Sequence, residues 1–243
     1  MIETGSPVMR FDILTLFPEM FDGVFTTSIP GRAARSGLVS YNVHDIRQWS
    51  TDRHDRVDDR PFGGGPGMVM MCQPLYDAVL AVEKMDEQPA ERILLSPQGR
   101  RLDQAIVEEL ATHPRLLLIA GRYEGIDERV IEELKPREIS IGDYVVSGGE
   151  LPAMALADAV TRLVPGALGH EDSASEDSFT IHTADGNRLL DAPHYTRPRV
   201  WRERPVPEVL ISGDHGAVDA WRRAEMEQRT RDRRPDLLDT ENQ

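Results

Sequence analysis

Apolar residues fall in short, unbroken runs that stop at glycine or proline. Leu116-Leu117-Leu118-Ile119-Ala120 runs straight into Gly121, and Glu138-Ile139-Ser140-Ile141 runs into Gly142. Upstream, Ile93-Leu94-Leu95 meets Ser96-Pro97-Gln98-Gly99. Such runs read as buried strands, although pattern alone does not separate them from buried helical segments. Arg10 to Phe17 reads as a first strand, stopped before Pro18, and Val39 to Ile46 alternates as a second. Helical spacing recurs at Leu75, Val79, Leu80 and Val82 within Pro74 to Met85. It recurs again at Ile106, Val107 and Leu110 within Asp103 to Ala111. Pro152 to Val164 reads as a helix with proline in its first turn. Ala33 to Gly37 reads as a helix ending at a glycine cap. Asp219 to Arg231 reads as another, with Trp221 and Met226 on its apolar side. Alternating strands and helices predict an α/β class with a mainly parallel sheet.

The connections differ in character. Residues 47–67 are polar and rich in Gly and Pro, which predicts a long loop. Loops of that length within a compact domain are uncommon and often functional. Residues 166–187 read as a mobile linker or lid with a turn at Asp185-Gly186. Pro193 to Pro207 is rich in Pro and Arg, and a small C-terminal helical domain is expected after about residue 192. In open α/β sheets ligands sit beyond the carboxyl ends of strands. The three loops after the apolar runs therefore point to one pocket, with glycines that let backbone groups approach a ligand. Neither Gly-x-x-x-x-Gly-Lys-Ser/Thr nor a strand-following Gly-x-Gly-x-x-Gly occurs, which argues against nucleotide triphosphates and dinucleotides. Gly63 to Met68 is Gly-rich without lysine and, read alone, is a tight turn. The loops after 121 and 140 carry few cations, which favours a small polar ligand held by backbone groups over a phosphate.

Composition narrows the class. The 243 residues are 40% hydrophobic and 29% charged, as in a soluble globular protein of one large domain or a domain plus a smaller one. No apolar run approaches the ~20 residues that span a bilayer, and no N-terminal signal pattern occurs. Residues 1–8 precede the first strand-like run as a short extension. The single cysteine, Cys72, fits a reducing cytosol and reads as a packed thiol. The net charge of −14 argues against an RNA partner until its distribution is considered. Ten arginines lie between Arg197 and Arg234, giving that stretch a positive balance in an acidic chain. The only lysines are Lys84 and Lys135. Arginine binds phosphate bidentately and stacks on bases, although codon bias and solvated helix faces also account for part of the ratio.

Several longer strings carry a family resemblance. They are Val57 to Met68 (VDDRPFGGGPGM), Ser96 to Arg100, Gly121 to Arg129 (GRYEGIDER) and Ser140 to Pro152 (SIGDYVVSGGELP). Glu176-Asp177-Ser178 and His194-Tyr195-Thr196-Arg197-Pro198 follow. In this order they resemble the bacterial tRNA (guanine-N1)-methyltransferases, the TrmD family of the trefoil-knot (SPOUT) class, over roughly Met9 to Leu237. The resemblance implies methyl transfer from S-adenosylmethionine to N1 of the guanine at tRNA position 37, just 3′ of the anticodon. It also implies a deeply knotted, cofactor-binding domain over 9–168, a linker over 169–192 and a tRNA-binding helical domain over 193–243. An obligate homodimer with active sites at the subunit interface, Mg²⁺ dependence and a cytoplasmic location are implied as well.

The same resemblance assigns site residues. Asp177 matches the family's catalytic aspartate and would take the N1 proton. By composition it is a solvated acid in a polar linker, and a free Asp near pKa ~3.9 is a weak base for this task. Partial burial or stabilisation of the product charge would have to assist it. Arg162 matches the residue that offsets charge at O6, and read alone is a surface arginine on the 152–164 helix. The donor pocket is assigned to Leu95, Ser96 and Pro97, then Gly121 and Glu124. Its third loop holds Ser140, Ile141, Gly142, Asp143, Tyr144, Val145, Val146, Gly148 and Gly149, with Pro152 beyond. Leu95, Ile141 and Val145 would sandwich the adenine. His54 and His194 lie in family-like strings with RNA-contacting or structural roles. His170-Glu171 lacks the second histidine of a metalloprotease signature. Tyr195, Trp201 and Trp221 accompany the C-terminal arginines, where aromatics can stack on bases. Thr180 to Arg188 is longer than in many relatives, and the chain stops soon after Leu238. Two other readings stay open: methylation of another RNA atom or ribose, and a non-catalytic RNA-binding sensor of the cofactor. The presence of both Arg162 and Asp177 counts against the sensor.

Overall fold

The computed structural model describes residues 7–169 and 177–238, and the chain divides into two compact units at Gly169. The first unit is built on a five-stranded sheet. Its strands are β1 (Met9–Thr15), β2 (Val39–Asp45), β5 (Glu91–Arg101), β6 (Arg115–Ala120) and β7 (Arg137–Ser140), in the order β2-β1-β6-β5-β7. Every pairing is parallel. Parallel sheets are covered on both faces, so their central strands read as continuous apolar runs. All six residues of β6 are buried accordingly.

The period of two along each strand sorts side chains into two layers. Phe11, Ile13, Ile93, Leu116 and Leu118 face one core. Helices α2 (Ser28–Arg35), α4 (Gln104–Leu110) and α6 (Glu150–Thr161) cover it through Ala33, Ile106 and Ala153. Leu14, Leu94, Leu117 and Ile119 face the other. There α3 (Cys72–Glu83) and α5 (Glu128–Leu134) supply Leu75, Val79, Val130 and Leu134. A short helix, α1 (Asp22–Phe25), adds Phe25 to the first layer, stacked on Tyr41 at 4.0 Å between ring centroids.

One charged cluster breaks the apolar rule. Arg115 at the start of β6 is buried and donates to the carbonyls of Val82 at 2.6 Å and Glu83 at 3.0 Å. Both carbonyls lie in the last turn of α3, where helical acceptors outnumber helical donors. Its Nε donates to the buried Asp12 at 2.8 Å, which also accepts from Arg10 at 2.9 Å. His44 Nε2 lies 3.1 Å from the same carboxylate.

Several boundaries differ from the sequence reading. The first strand stops at Thr15, two residues early, because Thr15 Oγ1 accepts from the Phe17 N–H and turns the chain. The helix expected over 33–37 spans Ser28–Arg35, with Pro30 near its start. The 47–67 loop contains a 3-10 turn, Ile46–Trp49, and the two-residue strand β3 (Asp58–Asp59), paired with β4 (Val69–Met70). Helix α5 is an addition, capped by Asp127. Within β5, residues 96–99 leave the ladder, so Leu95 and Arg100 both register against Ile139.

In the second unit, residues 170–176 of the expected lid lie outside the described residues. From Asp177 onward the chain is ordered by backbone pairing: Phe179 N–H donates to Leu189 at 2.7 Å, and Thr183 N–H to Asn187 at 2.8 Å. Helix α7 runs His215–Arg233, four residues earlier than expected, because Asp214 caps it by accepting from Ala217 N–H at 3.0 Å. Leu189, Ala192 and Met226 form a small core. The hairpin of β8 (Val200–Trp201) and β9 (Arg204–Pro205) is closed by Arg202 and Glu203, both at positive φ.

Candidate active site

The loops that follow β6 and β7, and the 96–99 excursion within β5, enclose a cavity of about 330 Å³ at the carboxyl end of the sheet. Leu95, Ser96 and Pro97 line it from the first loop, and Gly121 and Glu124 from the second. Ser140, Ile141, Tyr144, Val145, Val146, Gly148 and Gly149 line it from the third, with Pro152 from α6. Gly142 and Asp143 do not line it. The Gly142 carbonyl instead accepts from Ser140 Oγ and from Tyr144 N–H, both at 2.9 Å, which closes a tight turn within the loop.

Close backbone approach shapes the wall. Gly149 N–H donates to the Gly121 carbonyl at 2.8 Å, tying the second and third loops together. A Cβ on Gly149 would lie 2.6 Å from Ala120 Cα, so no other residue fits there without moving the strand. Strand β4 and the residue before it brace the second loop: Glu124 N–H donates to Met68 at 3.0 Å and Met70 N–H to Gly125 at 2.9 Å. Tyr123 is held at positive φ. Partial burial and the nearby Asp58 carboxylate keep its phenol above its ordinary pKa. Beneath this loop, Asp127 accepts from Arg129 Nη2 at 2.7 Å. That hydrogen bond, joined by one from Cys72, holds the Asp127 carboxyl well below the usual range. Burial and Asp127 raise the Cys72 thiol, as fits a packed rather than a nucleophilic cysteine.

The floor is ionic. Glu150, the first residue of α6, is fully buried and accepts from Thr15 Oγ1 at 2.8 Å. Its Oε2 lies 2.8 Å from Arg122 Nε, in ion-pair contact but not aligned as a hydrogen bond. Arg122 also donates to the Ser147 carbonyl at 3.2 Å and stacks over the Phe17 ring at 4.4 Å. Neither Arg122 nor Glu150 stands out in the sequence as a site residue, although both lie inside the quoted strings. Gln98, Tyr123 and Ile126 likewise line the cavity from within those strings.

Arg162 caps the end of α6, where its N–H donates to Asp158 at 3.1 Å. Asp177 belongs to the second unit, and its carbonyl accepts from Thr180 Oγ1 at 2.6 Å. In that unit Trp201 is 55% exposed and the Arg202 guanidinium lies 4.9 Å from its ring centroid. Among the described residues no group of three or more His, Cys, Asp or Glu side chains is arranged to hold a metal ion. None of the helices in the described residues is long and apolar enough to cross a membrane.

The family model described as tRNA (Guanine-1)-methyltransferase TrmD matches residues 9–240. The chain belongs to this family. A curated relative from Chloroflexus aurantiacus, named tRNA (guanine-N(1)-)-methyltransferase, is 57% identical over 95% of this chain and 88% of its own length. Relatives of the same name from Rhodopirellula baltica and Pseudomonas putida are 53% and 56% identical. They cover 95% and 96% of this chain, and 94% and 90% of their own lengths. The family match takes in both units, so the loop strings and the arginine-rich C-terminal stretch belong to one inherited arrangement. The mixed α/β class expected from the sequence agrees with the parallel sheet and with the family.

Proposed function

We propose that this chain transfers a methyl group from S-adenosylmethionine to N1 of the guanine just 3′ of the anticodon in tRNA. The observation that carries the reading is the cavity formed by three loops whose strings are those of the family. Its volume lies within the ~300–1,000 Å³ of small-molecule sites. Its walls suit the cofactor: Leu95, Ile141 and Val145 offer apolar faces to an adenine, and the tied glycines expose backbone donors and acceptors. The Glu124 carboxylate supplies a partner for the cofactor's cationic groups. When bound, S-adenosylmethionine provides an electrophilic methyl on a sulfonium.

The protein's task is then alignment, removal of the N1 proton and compensation of charge at O6. Asp177 takes the proton in this reading, and the Arg162 guanidinium offsets the negative charge that builds on O6. A carboxylate is a weak base for N1, so the compensation by Arg162 carries much of the catalysis. Mg²⁺ finds no matching ligand cluster among the described residues, and no step here depends on it.

The other parts of the reading follow from surfaces. Residues 193–243 would hold the tRNA, supported by the arginines between 197 and 234 and by the exposed Trp201. A second copy of the chain would complete each site, supported by Val145, 85% exposed at the cavity, and by the exposed Leu151 on α6. The trefoil knot is part of the same reading, supported by the close approach of Gly99 to the backbone of Glu138, where a Cβ would come within 2.4 Å. The reaction takes place in the cytoplasm, where its tRNA substrate is found.

The test is transfer of labelled methyl from S-adenosylmethionine to two unmodified transcripts, one with guanine and one with adenine 3′ of the anticodon. Transfer to the guanine transcript alone, mapped to N1, is expected. Equal transfer to both would overturn the target, and no transfer to either would overturn the enzyme reading.

A further inference from the structure

Arg122 is the only cationic side chain lining the cavity among the described residues. Its charge is unwelcome in a site that must hold a sulfonium. Glu150 lies behind it, wholly excluded from solvent, with Oε1 held by Thr15 and Oε2 in ion-pair contact with Arg122 Nε. Removing a carboxylate from water is costly, and a buried ion pair returns little net stability. The pair therefore calls for another account. Its placement supplies one: a Cβ on Gly148 would lie 2.3 Å from Arg122 Nε and 2.6 Å from Glu150 Oε2. The two charges thus sit directly beneath a glycine of the cavity wall. Arg122 is needed there for shape, since it holds the Ser147 carbonyl and covers the Phe17 ring.

We infer that Glu150 is a specificity-determining residue: by neutralising Arg122 it lets the cavity favour a cationic sulfonium ligand over the neutral thioether left after methyl transfer. The inference rests on the reading of the cavity as the S-adenosylmethionine site. A methyl donor and its demethylated product differ by one charge at sulfur and one methyl group. A site that is neutral at Arg122 binds the charged form without penalty and releases the product. With Arg122 uncompensated, the pull of the Glu124, Glu128 and Glu138 carboxylates that also line the cavity is partly cancelled, which weakens binding of the donor and not of the product.

The test is calorimetric affinity of the full-length protein for S-adenosylmethionine and S-adenosylhomocysteine, without tRNA. Glu150→Gln keeps the acceptor for Thr15 and removes the charge. A cavity of 330 Å³ keeps a bound cation close to its wall. At an effective dielectric of ~20 and a separation of ~10 Å, one unit charge shifts the ratio of the two affinities about tenfold against the sulfonium. Arg122→Met should move the ratio the opposite way, and the double variant should return it towards wild type. Parallel loss of both affinities in Glu150→Gln, or a ratio unmoved in both single variants, would overturn the inference. A wild-type protein that binds neither ligand would instead overturn the cavity reading beneath it.

Discussion

Replacing Asp12 by Asn isolates the charge that holds Arg115 inside the sheet. Both side chains are buried, and the carboxylate accepts from Arg115 at 2.8 Å and Arg10 at 2.9 Å. Burial alone would push the Asp12 carboxyl up, but hydrogen bonds from His44, Arg10 and Arg115 bring it down to about 2. Against an unfolded value near ~3.9, that depression contributes about 2.5 kcal/mol at neutral pH. The folded value is the lower one, so the contribution is complete above pH ~4 and is lost as pH falls towards 2. The Asp12→Asn substitution would remove it and leave a buried guanidinium short of its counter-ion, a change that costs about 3–5 kcal/mol. Urea unfolding at pH 7 should therefore show Asp12→Asn destabilised by at least ~3 kcal/mol. Between pH 5 and 3 the wild type should lose about 1 kcal/mol more than the variant. A variant within about 0.5 kcal/mol of wild type at pH 7, with the same pH slope, would refute the reasoning.

Other substitutions probe the site. Asp177→Asn should lower single-turnover methyl transfer by about 10²–10⁴-fold while leaving the calorimetric affinity for S-adenosylmethionine unchanged; wild-type turnover would remove Asp177 as the base. Gly149→Ala places a methyl 2.6 Å from Ala120 Cα and should cost about 1–3 kcal/mol in thermal unfolding, together with cofactor affinity; an unperturbed protein would show that the two loops are not tied there. Trp201→Ala should raise KM for tRNA about tenfold, the scale of one lost base stack, at constant cofactor Kd; an unchanged KM would take the hairpin out of the RNA surface.

What the sequence discloses depends on how local the physics is. The run Leu116 to Ala120 announces a central strand because every position is apolar, and all of it is buried. Helix α5 is hidden because its seven residues carry only Val130, Ile131 and Leu134 among charges, and because it begins within the Gly121 to Arg129 string. The 96–99 excursion is legible as a Ser-Pro loop, but not the resumption of pairing at Arg100, which depends on a distant strand. At the site, glycines and apolar residues mark the cavity loops. The Arg122–Glu150 pair is invisible, because charged residues in sequence read as solvated and only the fold joins the turn after β6 to the start of α6. Arg115 escapes notice for the same reason, as its partners lie on β1 and at the end of α3.

The strand order also sets a timetable for synthesis. β1 and β2 pair through the crossover that carries α1 and α2, with Met9 opposite Val39. The other edge of β1 is closed only by β6, where Arg10 meets Arg115. A growing chain thus carries an apolar strand with one unpaired edge until the distant β6 has been made. Such an edge is a template for other chains, and pairing over long sequence separation is slow. The cavity is completed only after the five strands, since its third loop follows β7, and a nascent chain gains the means to bind its ligand only when the vulnerable edge is already covered.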